Sequence, residues 1–139
     1  MKDRGYAVQF LLDTDICIFI MKGNAKTLEY LLRSPRESLF VSSVSIYELF
    51  TGVAKCSRPS IEREKVEKLI SCLQVVSFES DSAKLAAVIR ANLESRGEMI
   101  GPYDVLIAAQ AVARSLSVVT RNVREFSRVE KLKIVDWTK

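Results

Sequence analysis

Short apolar runs alternate with amphipathic stretches along this chain, a pattern that predicts strands separated by helices. Val8 to Leu12 (VQFLL) is an apolar run that ends abruptly at Asp13 and reads as a buried strand. Thr14 to Met21 follows as a short helix, with Gly23 just beyond it as a C-terminal cap. Thr27 to Arg33 sets Leu28, Leu31 and Leu32 on one helical face before Pro35 stops it. Leu39 to Val41 is a second strand, and Ser42 to Ala54 a helix whose apolar positions are Val44, Ile46, Leu49 and Phe50. After Pro59, Ile61 to Leu73 forms a charged amphipathic helix, and Val75 to Phe78 a third strand. Ser80 or Asp81 caps a helix that runs to Arg96 and ends at Gly97. Gly101-Pro102 opens the most apolar helix, Tyr103 to Leu116, with proline at a tolerated first-turn position. A fourth strand at Ser117 to Thr120, a helical turn at Arg124 to Arg128 and a last strand near Lys133 to Val135 complete the series. Wholly apolar strands between helices define an α/β sandwich around a mostly parallel sheet. The length of 139 residues fits one domain spanning 1–139.

Composition narrows the chemistry. There is no histidine, which excludes Ser-His-Asp and Cys-His couples, an imidazole base and any zinc site that needs histidine. Cys17, Cys56 and Cys72 stand far apart with no C-x-x-C pair, so an all-cysteine metal site is excluded too. Scattered in this way they read as reduced thiols of a cytoplasmic protein. Asp13 and Asp15 interrupt the apolar stretch near the N-terminus, which fits neither a signal peptide nor a membrane span. Lys and Arg number 21 against 17 Asp and Glu, a net charge of +4 that leans toward an anionic partner. Carboxylates, hydroxyls, amines or a hard oxygen-bound metal must carry any catalysis.

Ligands of an open parallel sheet bind beyond the carboxyl ends of its strands. Asp13 closes the first strand, and Glu48 lies in the opening turns of the helix leaving the second. Asp104 follows Pro102 in the first turn of the apolar helix, and Thr120 and Asn122 follow the fourth strand. Each also has an ordinary structural reading. Asp13 caps the helix at Thr14. Glu48 closes an S-x-x-E capping box from Ser45. Asp104 complements a helix dipole. Taken together they are harder to explain in that way, because carboxylates converging on one volume repel each other. A divalent cation removes the conflict, and Mg²⁺ and Mn²⁺ prefer oxygen ligands. Such a site can orient a water for attack on a phosphodiester without histidine.

Four stretches in order carry a likeness to a known family: Leu11 to Ile18 (LLDTDICI), Ser42 to Gly52 (SSVSIYELFTG), Gly101 to Ala109 (GPYDVLIAA) and Val119 to Phe126 (VTRNVREF), with Asp136-Trp137 after them. The chain resembles the PIN-domain ribonucleases, specifically the toxins of VapBC-type toxin–antitoxin pairs, from Val8 onward. The resemblance implies a three-layer α/β/α fold with a five-stranded sheet in the order 3-2-1-4-5. It implies an acidic pocket for Mg²⁺ or Mn²⁺, with Asp13, Glu48 and Asp104 as the core acidic residues. Thr120 would occupy a hydroxyl position, and Asn122 a fourth, often acidic one. It further implies an endoribonuclease acting on structured RNA, commonly a transfer RNA or a ribosomal RNA loop. A homodimer is implied too, silenced by a cognate antitoxin whose C-terminal segment fills the pocket. There are two departures: Asp15 stands where many relatives have asparagine, adding charge beside Asp13, and Asn122 is neutral. Glu125 is a candidate replacement for the missing charge.

An RNA-cutting enzyme needs cations beside its acidic pocket. Arg121, Arg124 and Arg128 cluster after the fourth strand, and Lys22 and Lys26 follow the first helix. These are candidates for a backbone-binding rim, with Tyr103 as a base-stacking candidate. All of them also read as ordinary surface residues. Apolar faces around Ile16, Phe19, Ile20 and Leu28 to Leu32 fit either core packing or a partner groove. Two other functions remain open. Strand-D-T-D resembles haloacid-dehalogenase-like phosphotransferases, with Asp13 as nucleophile and Asp15 as acid/base. A degraded metal site would leave a non-catalytic RNA-binding module.

Overall fold

The structure, a computed structural model, describes residues 7–139. Its sheet is parallel throughout and runs in the order β3-β2-β1-β4-β5. The central strand β1 (Phe10–Leu12) lies between β2 (Leu39–Ser42) and β4 (Ser117–Val119), with β3 (Gln74–Val76) beyond β2 and β5 (Lys133–Val135) beyond β4. The register pairs Leu12 with Val41 on one side and with Val119 on the other. The next residues on β1 and β4, Asp13 and Thr120, therefore leave the sheet side by side, while Ser42 pairs once more, with Val76 of β3. The Asp13 N–H donates to the Val119 carbonyl at 3.0 Å, and the Thr120 N–H to the Val135 carbonyl at 3.0 Å. Register alone brings two of the expected site residues to one edge.

The helices are α1 (Thr14–Met21), α2 (Ala25–Arg33), α3 (Ser43–Lys55), α4 (Pro59–Ile70), α5 (Ser80–Ser95), α6 (Pro102–Arg114) and α7 (Val123–Phe126). Successive strand residues face opposite sides, and so Leu11 and Leu12 enter different cores. Leu11 and Val118 pack with Leu93 of α5 and Ile107 of α6. Leu12, Val41 and Val119 pack with Ile16 of α1, Leu49 of α3 and Val66 of α4. The three layers expected from the sequence are present, and the sheet is wholly rather than mostly parallel.

Several boundaries differ from the sequence reading, for local reasons. α2 begins at Ala25 because the Asn24 carboxamide oxygen accepts from the Thr27 N–H at 3.0 Å. α4 takes Pro59 into its first turn, where no N–H is needed. β3 ends at Val76 because the Phe78 N–H is diverted to the Ser43 hydroxyl at 3.1 Å. α6 stops at Arg114, and Ser115 adopts a left-handed conformation with φ 57°.

Trp137 anchors the far end of the chain. It is 1% exposed, meets the Phe10 ring edge-on at 5.4 Å and stacks on Tyr30 at 5.5 Å. Trp137→Ala is expected to destabilise the fold by about 3–5 kcal/mol. Urea unfolding should show a lower midpoint and an unchanged slope. Among the described residues no helix is long and apolar enough to cross a membrane.

Candidate active site

Asp13 stands at the end of β1 and caps α1, its Oδ1 accepting from the Ile16 N–H at 2.8 Å. The capping role and the site role thus belong to one side chain. It is only 3% exposed. Burial pushes its carboxyl up to about 7, opposed by hydrogen bonds from Thr120 and Ile16 and reinforced by the charges of Asp15 and Asp104. Thr120, itself fully buried, also accepts the Asn122 N–H at 2.8 Å. That bond fixes the chain's turn away from β4 and leaves the hydroxyl proton for Asp13.

The capping-box reading of Glu48 is not what the structure shows. Ser42, not Ser45, caps α3, its hydroxyl accepting from the Val44 N–H at 2.9 Å. Glu48 therefore lies in the second turn of α3, too far along to reach back to the cap. Its Oε1 instead sits 2.6 Å from the Thr14 hydroxyl, which is 2.9 Å from the Ser45 hydroxyl. Thr14 has one proton, so it donates to Glu48 and accepts from Ser45. The sequence reading gave Ser45 a capping role and passed over Thr14 as the partner of Glu48. The signal for Thr14 was its position, the first residue of the helix that Asp13 caps.

Asp104 lies in the first turn of α6, which Gly101 opens. A Cβ at Gly101 would come within 3.1 Å of Asp104 Oδ2, so the carboxylate folds back over the helix start into space that only glycine leaves free. Partial burial pushes Asp104 up to about 6, and the charges of Glu48, Glu125 and Asp15 add to the shift. Asp13, Asp15, Glu48, Asp104 and Glu125 thus share one electrostatic neighbourhood. Asp15 is exposed, and Glu125 and Asn122 are half-buried on and before α7.

Neither Asp13 nor Asp104 faces a cation among the ion pairs of the described residues. Buried, mutually repelling carboxylates with the Thr14 and Thr120 hydroxyls beside them match the demands of Mg²⁺ or Mn²⁺. No three Asp, Glu or Cys side chains among the described residues gather into a metal cluster as they stand. The donor set therefore fits an ion that keeps several of its waters, the usual Mg²⁺ habit, better than a closed protein cage.

The surroundings divide the basic candidates. Lys22, with Lys65, lines a cavity of about 340 Å³ between α1, α3 and α4 that also contains Glu48. The Arg121 guanidinium lies over the Phe19 ring, 5.0 Å from its centre, and Arg124 is exposed on α7. Lys26 is exposed at the start of α2. Arg128 has a different role: it donates to the Met99 carbonyl at 2.8 Å, while Arg96 donates to the Arg128 carbonyl at 2.7 Å. It braces the loop before α6 and is committed there. The apolar face on α1 and α2 is part core and part groove. Ile16, Ile20 and Leu31 are buried, whereas Leu32 is 81% exposed beside a cavity of about 370 Å³.

A parallel sheet in this order with acidic residues at its carboxyl edge is the arrangement of PIN domains, and the PIN domain model matches residues 10–132. The chain belongs to the PIN-domain family. Within that family it falls among the VapC-type ribonucleases, the toxins of VapBC toxin–antitoxin systems. It is 36% identical over 130 residues to the tRNA(fMet)-specific endonuclease VapC of Salmonella typhimurium, covering 94% of this chain and 98% of that one. It is 30% identical over 134 residues to Ribonuclease VapC2 of Rickettsia felis, with 94% and 98% coverage. Among solved structures, DNA-bound VapBC from Salmonella typhimurium superposes with a TM-score of 0.89 at 36% identity, over 94% of this chain and 99% of that one. VapBC2 from Rickettsia felis bound to a promoter DNA fragment gives 0.87 at 28% identity, again over 94% and 99%. The family assignment sets aside the phosphotransferase reading of Asp13 and Asp15.

Proposed function

We propose that this ribonuclease cuts a transfer RNA with the help of Mg²⁺ or Mn²⁺ held by Asp13, Glu48 and Asp104, and that an antitoxin protein silences it. One observation carries the reading: at the carboxyl edge of the sheet, Asp13 and Asp104 are pushed up to about 7 and about 6, and among the described residues neither forms an ion pair with a cation. A divalent ion, when bound, supplies Lewis acidity toward a phosphodiester. The chain does the positioning. The Ile16 N–H and the Thr120 hydroxyl orient Asp13, Thr14 orients Glu48, and the space at Gly101 orients Asp104. Neutral Asn122 completes the rim, tied through its N–H to the buried Thr120 hydroxyl. Lys22, Arg121 and Arg124 meet the RNA backbone, the first from the cavity that Glu48 shares. The groove beside Leu32 suits an apolar helix of the antitoxin, and two copies of the chain are expected to pair.

The relatives named as tRNA(fMet)-specific endonucleases make that RNA the first substrate to try. Purified protein with Mg²⁺ should release two fragments from it, and Asp104→Asn should release none. Intact RNA under both conditions would refute the cleavage reading, and binding without turnover would leave an RNA-binding module in its place. A finer test concerns orientation. Thr14→Val keeps the shape but removes the hydroxyl donor to Glu48, and should lower the cleavage rate about tenfold, the worth of one hydrogen bond to a charged group. Thermal unfolding of that variant should stay within about 1 kcal/mol of wild type.

A further inference from the structure

Tyr47 and Tyr103 each immediately precede a site carboxylate, Glu48 on α3 and Asp104 on α6. Adjacent residues on a helix point about 100° apart, so each tyrosine flanks the acidic site rather than filling it. The two rings meet: their centres are 5.6 Å apart at an interplanar angle of 63°, and their hydroxyls are 3.3 Å apart. Both stay open to solvent, Tyr47 at 56% and Tyr103 at 39% exposure. Packing alone does not account for so much aromatic surface at the mouth of a polar site.

We infer that Tyr47, braced edge-on by Tyr103, is a stacking platform for one unpaired base of the RNA beside the bond that is cut. Rings set at 63° cannot both lie flat on one base. The more exposed Tyr47 offers the face, and Tyr103 holds its orientation through the edge contact and the hydroxyl bond. The remaining geometry agrees. Glu48 has Tyr47 directly before it in sequence, and it lines a cavity together with Lys22 and Lys65. A strand of RNA laid across the site thus meets an aromatic face for a base, carboxylates at the middle, and ammonium groups for a phosphate. Single-stranded recognition combines these features, and stacking tolerates any base. Tyr47 acts here as a substrate-binding residue, and Tyr103 as a positioning residue.

The inference rests on the proposed RNA cleavage, and kinetics on the transfer RNA substrate with Mg²⁺ test it. Tyr47→Ala and Tyr47→Leu should raise KM about tenfold, the worth of one stacked base, with kcat within about twofold of wild type. Tyr47→Phe keeps the ring face but loses the hydroxyl bond to Tyr103, and should raise KM less than Tyr47→Ala does. Tyr103→Phe, which loses the brace's hydroxyl, should give a smaller rise in KM. Salt separates the two ligand types: Tyr47→Ala should leave the salt dependence of kcat/KM unchanged, whereas Lys22→Ala should make it shallower. If wild type cuts RNA and Tyr47→Ala matches it, or if Tyr47→Leu is normal, the platform is wrong. Sedimentation covers the other occupant. If Tyr47→Ala dissociates a dimer in step with its loss of activity, the pair is a contact between copies and the inference falls. If wild type cuts no RNA, the proposed function fails first and takes this inference with it.

Discussion

Asp13→Asn is expected to abolish RNA cleavage and, in metal-free protein at pH 8, to raise the melting temperature. Both effects come from the same burial. An aspartate 3% exposed with its carboxyl near 7, against 3.8 unperturbed, is held charged at pH 8 against desolvation. That difference corresponds to an upper limit of about 4 kcal/mol. Asparagine removes the charge yet keeps an oxygen for the Ile16 N–H, and it is as good an N-cap as aspartate. Recovering half of the limit would raise Tm by about 5–10 °C. Scanning calorimetry in EDTA measures it. A lower Tm for Asp13→Asn would mean that the site carboxylate stabilises the fold, contrary to its burial. Cleavage should fall below about a thousandth of wild type, because Asp13 is the most deeply buried of the charges proposed to hold the ion.

Metal and proton are expected to compete for the same edge of the sheet. Asp13 and Asp104 both have raised folded values, about 7 and about 6 against 3.8. The folded chain therefore binds more protons than the unfolded one between those limits, and its metal-free stability falls as pH rises from about 4 to about 7. Mg²⁺ reverses the loss by replacing the protons. At a concentration one hundred times its Kd, the ion adds about 2.7 kcal/mol. The rise in Tm on adding Mg²⁺ should be large at pH 8, nearly absent at pH 5, and accompanied by proton release in an unbuffered titration. It should vanish in Asp104→Asn. A metal-induced rise of equal size at both pH values would place the ion elsewhere.

Particular residues show how far the sequence could be read. Asp13 was legible because an apolar strand stops dead at it, and Asp104 because Gly101-Pro102 announces a helix start. Periodicity gave the layers, while the strand order came from the family likeness. Glu48 lies on the helix after the second strand, as expected, but the capping partner that its local pattern offers is not the one it has. S-x-x-E is a local pattern, and the bond it actually makes reaches across to Thr14 on a different helix. Arg128 looked like its neighbours Arg121 and Arg124 in the sequence, and its commitment to the Met99 carbonyl depends on a long-range fold contact. Boundaries shifted wherever a side chain intercepted the backbone, as at Asn24 and Ser43. Apart from such local caps as Asn24, what escaped the sequence depends on contacts between distant segments.

The pairing of β1 with β4 joins segments from opposite ends of the chain, and it alone sets Asp13 beside Thr120. Such distant pairings form late and slowly. The proposed centre is therefore unfinished until the second half of the sheet has docked, and a polypeptide interrupted between the two strands is expected to carry no working site. By the same logic, a protease that nicks the chain where α6 gives way to β4 would disarm the enzyme by releasing one strand, with every acidic residue left chemically intact.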